Sequence, residues 1–136
     1  MKYLIYIFLM ASFLGTAQHT LTIKAEGIRS SDGYIGVAVY NTEATFLKDG
    51  KTFSGTFEPT KEGKTIITIA DLPEGTYAVS IFHDKNGNKE LDTNFIGIPK
   101  EPVAFSMAKM KTFGPPSFKA CSFRLISDLE IRIPIK

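Results

Sequence analysis

The stretch Leu72-Pro73-Glu74-Gly75-Thr76-Tyr77-Ala78-Val79-Ser80-Ile81-Phe82-His83-Asp84 is a turn followed by a strand. Pro and Gly two apart punctuate the chain, and Tyr77 enters the alternation just after them. Tyr77, Val79, Ile81 and His83 fall on one face; Ala78, Ser80 and Phe82 fall on the other. A Tyr at this place looks like a tyrosine corner, whose hydroxyl bonds to upstream backbone and pins a crossover in Greek-key sandwiches; a Tyr that packs without that bond is an equally simple reading. The strand runs without a break into a polar loop, Asp84-Lys85-Asn86-Gly87-Asn88-Lys89-Glu90-Leu91-Asp92-Thr93-Asn94. Any ligand carried by Asp84 therefore starts from a rigid strand end.

Upstream, Leu21, Ile23 and Ala25 alternate with Thr22, Lys24 and Glu26, a strand with one wet face. Ser30-Ser31-Asp32-Gly33 is a turn. Ile35, Val37 and Val39 then alternate with Gly36, Ala38 and Tyr40. Asn41 to Gly50 is polar, with Phe46 and Leu47 as an apolar plug, and Phe53, Gly55 and Phe57 sit two apart on a further strand. Lys64 to Ala70 is apolar and β-branched, as strands are. Downstream, Phe95-Ile96-Gly97-Ile98-Pro99 is expected to dock the loop on the body, and residues 100–119 are irregular. Two strands close the chain: Ala120 to Leu125, with Cys121, Phe123 and Leu125 on one buried face, and Leu129 to Ile135. Pro134 lacks an amide donor, which places the last strand at an edge. Short strands, frequent turns and no amphipathic helix predict an all-β fold. The expected architecture is a single Greek-key β-sandwich of about seven or eight strands, immunoglobulin/transthyretin-like.

Residues 1–17 have the pattern of a signal peptide: Lys2, the apolar run Tyr3 to Leu14, then small Gly15-Thr16-Ala17. The run is short for a membrane span, which takes about 20 apolar residues. The expectation is an exported protein, periplasmic or extracellular, with a β-sandwich domain over 18–136 and no membrane insertion of the mature chain. The formal net charge of the 136-residue chain is +2, and its lysines are scattered. Nucleic-acid binding needs a clustered basic footprint and is not expected. Cys121 is the single cysteine, so no internal disulfide forms; it is expected as a small buried hydrophobe.

The loop at 84–94 carries the chemistry. A hard cation such as Ca2+ takes about six to eight oxygens at roughly 2.3–2.6 Å. Asp84, Asn86 and Asn88 match places one, three and five of an EF-hand loop. Glu90 matches place seven, a backbone-carbonyl donor; Leu91 place eight, an anchor to the core; and Asp92 place nine. Two places do not match. Place six is Lys89 where Gly makes the sharp turn, and place twelve is Phe95 where a bidentate Glu belongs; the nearest later acid is Glu101. The expected metal ligands are Asp84, Asn86, Asn88, Glu90 and Asp92, with Ca2+ as the ion. The competing reading is a solvated polar loop, since Asn-Gly is a strong turn signal. Magnesium suits the pattern less, because it keeps its waters.

A resemblance follows from Leu72-Pro73-x-Gly75-x-Tyr77-Ala78-Val79, His83-Asp84-x-Asn86-x-Asn88-x-x-Leu91-Asp92-Thr93-Asn94, Gly97-Ile98-Pro99-x-Glu101, Phe105-Ser106 and Gly114-Pro115-Pro116-Ser117-Phe118. In these residues the chain resembles the bacterial family named domain of unknown function 2141, over nearly all of 18–136. The resemblance implies a small exported bacterial β-sandwich without an assigned activity, and it supplies no catalytic residues. The chain departs from the family pattern after Ser106, at Met107-Ala108-Lys109.

Three functions compete. The first is an exported module stabilised or shaped by a cation. The second is a metal-free domain that binds a protein, glycan or small molecule through 100–119, with Phe105, Met107, Met110, Phe113 and Phe118 as an apolar patch. The third, least favoured, is a hydrolase using His83 with Ser106 or Ser117. No nucleophile-elbow motif is present, so no enzyme is expected.

Overall fold

The structure, a computed structural model, describes residues 15–136; residues 1–14, most of the expected signal peptide, lie outside the described residues. The described residues form eight strands and one short helix: β1 (Gln18–Ile28), β2 (Tyr34–Tyr40), β3 (Ser54–Pro59), β4 (Gly63–Pro73), β5 (Gly75–Asp84), β6 (Val103–Phe105), α1 (Phe118–Cys121), β7 (Phe123–Leu125) and β8 (Leu129–Pro134). They form two sheets. One has the order β4-β1-β8; the other has the order β3-β2-β5-β6, with β7 also paired to β5. No described helix is long and apolar enough to cross a membrane.

Alternation decides which side chains meet. Leu21, Ile23 and Ala25 of β1, Ile67 and Ile69 of β4, and Ile131 and Ile133 of β8 turn inward from one sheet. Ile35, Val37 and Val39 of β2, with Tyr77, Val79 and Ile81 of β5, meet them from the other. Each fully buried side chain of this kind stabilises the fold by roughly 1.5–3 kcal/mol. β1 lies between an antiparallel β4 and a parallel β8. The edge position of β8 leaves the missing amide of Pro134 without cost to a ladder.

β5 is the centre of the second sheet, and both its faces are covered. Its outer residue Ala78 lies in a second apolar cluster with Phe105 and Cys121, packed by Phe46, Leu47 and Phe118. Phe46 and Leu47, expected as an apolar plug, are half-buried against this second cluster. The strand also begins as predicted: Tyr77 Oη donates to the Pro73 carbonyl at 2.5 Å. Burial holds the Tyr77 phenol above its ordinary pKa.

Ala120–Leu125 differs from the expected continuous strand. The Ser117 hydroxyl accepts from the Ala120 amide at 3.1 Å and caps one helical turn, α1. Extended pairing resumes only at Phe123. Cys121 is fully buried, but a helical turn puts it there, not the alternation. Burial raises its thiol pKa, with Lys111 opposing the shift, so it stays a packing residue.

Candidate cation loop at the end of β5

The root of the loop is fixed from three sides. His83 is buried, and its Nε2–H donates to the Asp32 carbonyl at 2.8 Å, which also fixes the tautomer because a carbonyl only accepts. Gly33, at φ 67°, presses on the next residue: a Cβ there would stand 1.8 Å from the Asp84 carbonyl oxygen. The Tyr34–Asp84 register then holds β5 against β2. The 30–34 turn therefore grips the residue that would be the first ligand.

Asp84 is 0 % exposed. Its Oδ2 accepts the Lys89 amide at 2.8 Å, across the turn. Its Oδ1 is buried and takes no hydrogen bond from the described protein. A buried carboxylate oxygen without a donor carries a desolvation cost. Lys89, the residue at place six, has φ 61°, the left-handed turn that a glycine would supply. Its amide is held by Asp84, and its ammonium lies 5.2 Å from the Tyr34 ring centroid and 5.9 Å from that of Phe57. These contacts offset the steric cost of a left-handed Lys, about 1–2 kcal/mol. The mismatch at place six is therefore one of residue type and not of backbone shape.

The next ligand candidates follow in Asx turns. Asn86 Oδ1 accepts the Asn88 amide at 3.2 Å, and Asn88 Oδ1 accepts the Glu90 amide at 3.0 Å. The two Asn amide groups donate to Asp92, Asn86 Nδ2 to Oδ2 at 2.5 Å and Asn88 Nδ2 to Oδ1 at 2.9 Å. Asp84, Asn86, Asn88, Glu90 and Asp92 are thus brought into one turn, and the side chains of Asn86, Asn88 and Asp92 touch. The Glu90 side chain is exposed, so only its backbone is suited to the loop.

One side chain from further along the chain also reaches the turn. The Asp92 amide donates to Glu101 Oε2 at 3.2 Å. Residues 92–100 double back to allow it: the Lys100 amide donates to the Asp92 carbonyl at 2.8 Å, and the Asn94 amide donates to the Ile98 carbonyl at 2.9 Å. Burial pushes the Glu101 carboxyl above its ordinary pKa. The charges of Asp92 and Asp84 add to that rise, while bonds from the Asp92 and Lys85 amides oppose it.

Two expectations about the loop's packing are corrected. Leu91 does not anchor to the core; it is 39 % exposed. Phe95-Ile96-Gly97-Ile98 does not dock on the body either: Phe95 is 100 % exposed, with Ile96 and Ile98 also exposed. Backbone bonds and Asn94 Oδ1, which accepts the Ile96 and Ile98 amides, hold this segment in place of apolar contacts. The 100–119 patch divides as well. Phe105 and Phe118 cover the core, and Met107, Met110 and Phe113 face solvent.

Among the described residues, no three His, Cys, Asp or Glu side chains are grouped tightly enough to form a metal cage alone. The donors that fit a hard cation here are mixed: carboxylate, Asn amide and backbone oxygens. Of the hydrolase candidates, Ser106 is held away from His83. Ser106 Oγ donates to the Cys121 carbonyl at 2.6 Å and accepts the Val79 amide at 2.9 Å. Val79 and His83 lie four residues apart on β5, about 13 Å along a strand.

No curated protein and no solved structure matches the chain. A family model does match, over residues 23–133, which span β1 to β8 and include the whole 84–101 turn. The chain therefore belongs to the family described as uncharacterized protein conserved in bacteria, domain of unknown function 2141.

Proposed function

We propose that this protein is an exported β-sandwich module, Greek-key and immunoglobulin/transthyretin-like, in which Ca2+ at the 84–94 loop stabilises the fold and shapes one end of it. The observation that carries the reading is Asp84 Oδ1: fully buried, at a strand end, and given no donor by the protein. A hard cation supplies what that oxygen lacks. Asp84 and Asp92 would contribute carboxylate oxygens, Asn86 and Asn88 amide oxygens after rotation of their amide groups, and Glu90 its carbonyl. Extracellular calcium modules bind at roughly 10⁻⁴–10⁻³ M, a range that suits this modest charge.

The test is a thermal melt of the purified chain in calcium and in chelator. With free calcium at about 100 times Kd, binding contributes near 2.7 kcal/mol, and the melting temperature rises. Superimposable melts in the two buffers would remove the proposal. A second reading, a metal-free binding domain, draws on the solvent-facing Met107, Met110 and Phe113. In that case calcium leaves the melt unchanged, and substituting these residues changes partner binding but not stability.

A further inference from the structure

We infer that the turn at 111–114, with the lysines and methionines just before it, is a contact for an anionic lipid surface. Phe113 enters the headgroup region, and Lys109 and Lys111 meet its phosphates. The inference goes beyond the calcium reading and does not depend on it.

Between β6 and β7 the chain leaves the sheet at Ser106 and rejoins it at Phe123, and both ends of this excursion are clamped to β5. The Ser106 amide donates to the Val79 carbonyl at 2.9 Å, Ser106 Oγ accepts the Val79 amide at 2.9 Å, and Phe123 pairs with Tyr77. One side of the excursion belongs to the core: Ala108, Phe118 and Cys121 pack with Phe105 and Ala78. The other side faces water. Met107 and Met110 are exposed there, and Phe113 is fully exposed. The turn that carries Phe113 is closed by two backbone bonds. The Lys111 amide donates to the Gly114 carbonyl at 2.9 Å, and the Gly114 amide donates back to the Lys111 carbonyl at 3.4 Å. Gly114, at φ 140°, takes a backbone that side chains rarely adopt. An aromatic ring is thus held out on a braced turn, although apolar neighbours lie beneath the same segment.

Charge decides which partner suits this surface. From Pro102 to Ser127 the chain holds Lys109, Lys111, Lys119 and Arg124 and no acid. The ion pairs among the described residues are Lys24–Glu130 and Arg132–Glu26, so none of these four cations is held by a carboxylate. The neighbouring loop at 41–53, whose Phe46 packs on Phe118, adds Glu43 and Asp49 but also Lys48 and Lys51, and so no net charge. Lysines set among exposed methionines and a phenylalanine suit a bilayer interface. Their long stems lie along apolar groups while the ammonium heads reach the phosphates. The apolar groups also stand on a projecting turn, which enters a soft interface more readily than it fills a protein groove. The other exposed apolar tip makes the contrast. Phe95, Ile96 and Ile98 face solvent too, but Glu90, Asp92 and Glu101 offset Lys89 and Lys100 around them in the chain. An anionic surface is not attracted there. The contact at 111–114 is peripheral, since side chains of one segment make it and no backbone crosses the bilayer.

The experiment is co-sedimentation of residues 15–136, the part that carries both sheets, with vesicles of phosphatidylcholine alone or mixed with phosphatidylglycerol. Chelator is present throughout, so the loop at 84–94 plays no part. Binding is expected to the mixed vesicles only, and it should weaken as salt is added. Lys109→Gln with Lys111→Gln should lower the partition about tenfold or more, since each lysine near such a surface contributes roughly fivefold. Phe113→Ser should lower it as well, and Phe95→Ser should leave it unchanged. All of these side chains are exposed, so the variants should melt with wild type. The chain has no tryptophan, so Phe113→Trp places a single reporter at the tip, and its emission should shift to the blue on the mixed vesicles. Equal binding to both kinds of vesicle, an equal loss in Phe95→Ser, or unshifted emission from bound Phe113→Trp overturns the assignment. A chain that ignores both kinds of vesicle overturns it too, and leaves the exposed residues to a protein partner. The calcium reading stands or falls separately, on its own melts.

Discussion

Replacing Asp84 by Asn should produce a stability deficit that exists in calcium and largely vanishes in chelator. The side chain keeps its size and its place at the end of β5. In chelator two effects oppose each other. The bond from the Lys89 amide at 2.8 Å changes from a charged acceptor to a neutral one, a loss of about 1 kcal/mol. Against that, the substitution removes a fully buried charge that faces Glu101, a gain of about the same size. The variant should then melt within about 1 kcal/mol of wild type. In calcium at about 100 times Kd, only wild type gains the near 2.7 kcal/mol of binding. For a domain of this length that is about 10 °C in Tm. The assay is a four-way comparison by calorimetry: two proteins, two buffers. An equal deficit in both buffers would show that Asp84 acts through packing and hydrogen bonding alone, and the reasoning from its unpartnered oxygen would be refuted.

Other predictions concern the scaffold that holds the loop. Tyr77→Phe removes the 2.5 Å bond to Pro73 and should lower the unfolding free energy by about 1–2 kcal/mol, seen as a lower urea midpoint at unchanged m. Because burial raises the Tyr77 pKa, its contribution is complete below the ordinary tyrosine value of about 10 and fades as pH rises through the folded-state value. Tyr77→Phe should flatten that alkaline decline, which pH-dependent denaturation can read. Gly33→Ala sets a Cβ 1.8 Å from the Asp84 carbonyl oxygen at φ 67°. A loss of about 3 kcal/mol or more is expected, with weakened calcium binding if the variant folds. Ser106→Ala leaves the Val79 amide and the Cys121 carbonyl without their buried partner and should cost about 2 kcal/mol, seen as a lower Tm.

The strands were legible because period-two alternation survives in β1, β2, β4, β5 and β8. The Tyr77 bond was half legible: the turn of Pro and Gly before a Tyr suggested it, while packing without the bond fitted the sequence equally well. α1 was hidden: Ala120 to Leu125 alternates as a strand does, and a single hydroxyl at Ser117 caps a helical turn of four residues, Phe118–Cys121. The ligand spacing of Asp84, Asn86 and Asn88 was visible, but the role of Lys89 was not. A left-handed lysine is costly in isolation, and the contacts that offset it come from Asp84, Tyr34 and Phe57, of which the two rings are remote in sequence. Glu101 escaped for a related reason. Its approach is created by backbone pairing between 92 and 100, which leaves no signature in side-chain spacing. The exposure of Leu91 and of 95–98 went unread because apolar residues suggest docking, while here polar backbone groups close the turn.

The parallel pairing of β1 with β8 has a consequence for how the molecule is born. β1 waits for β8, so the smaller sheet stays half-built until β8 has been added. Contacts between such distant parts of a chain slow the search for the native state to milliseconds or longer. A polypeptide threaded through a narrow passage with β1 leading would thus emerge unlocked, and would set only once β8 had come through.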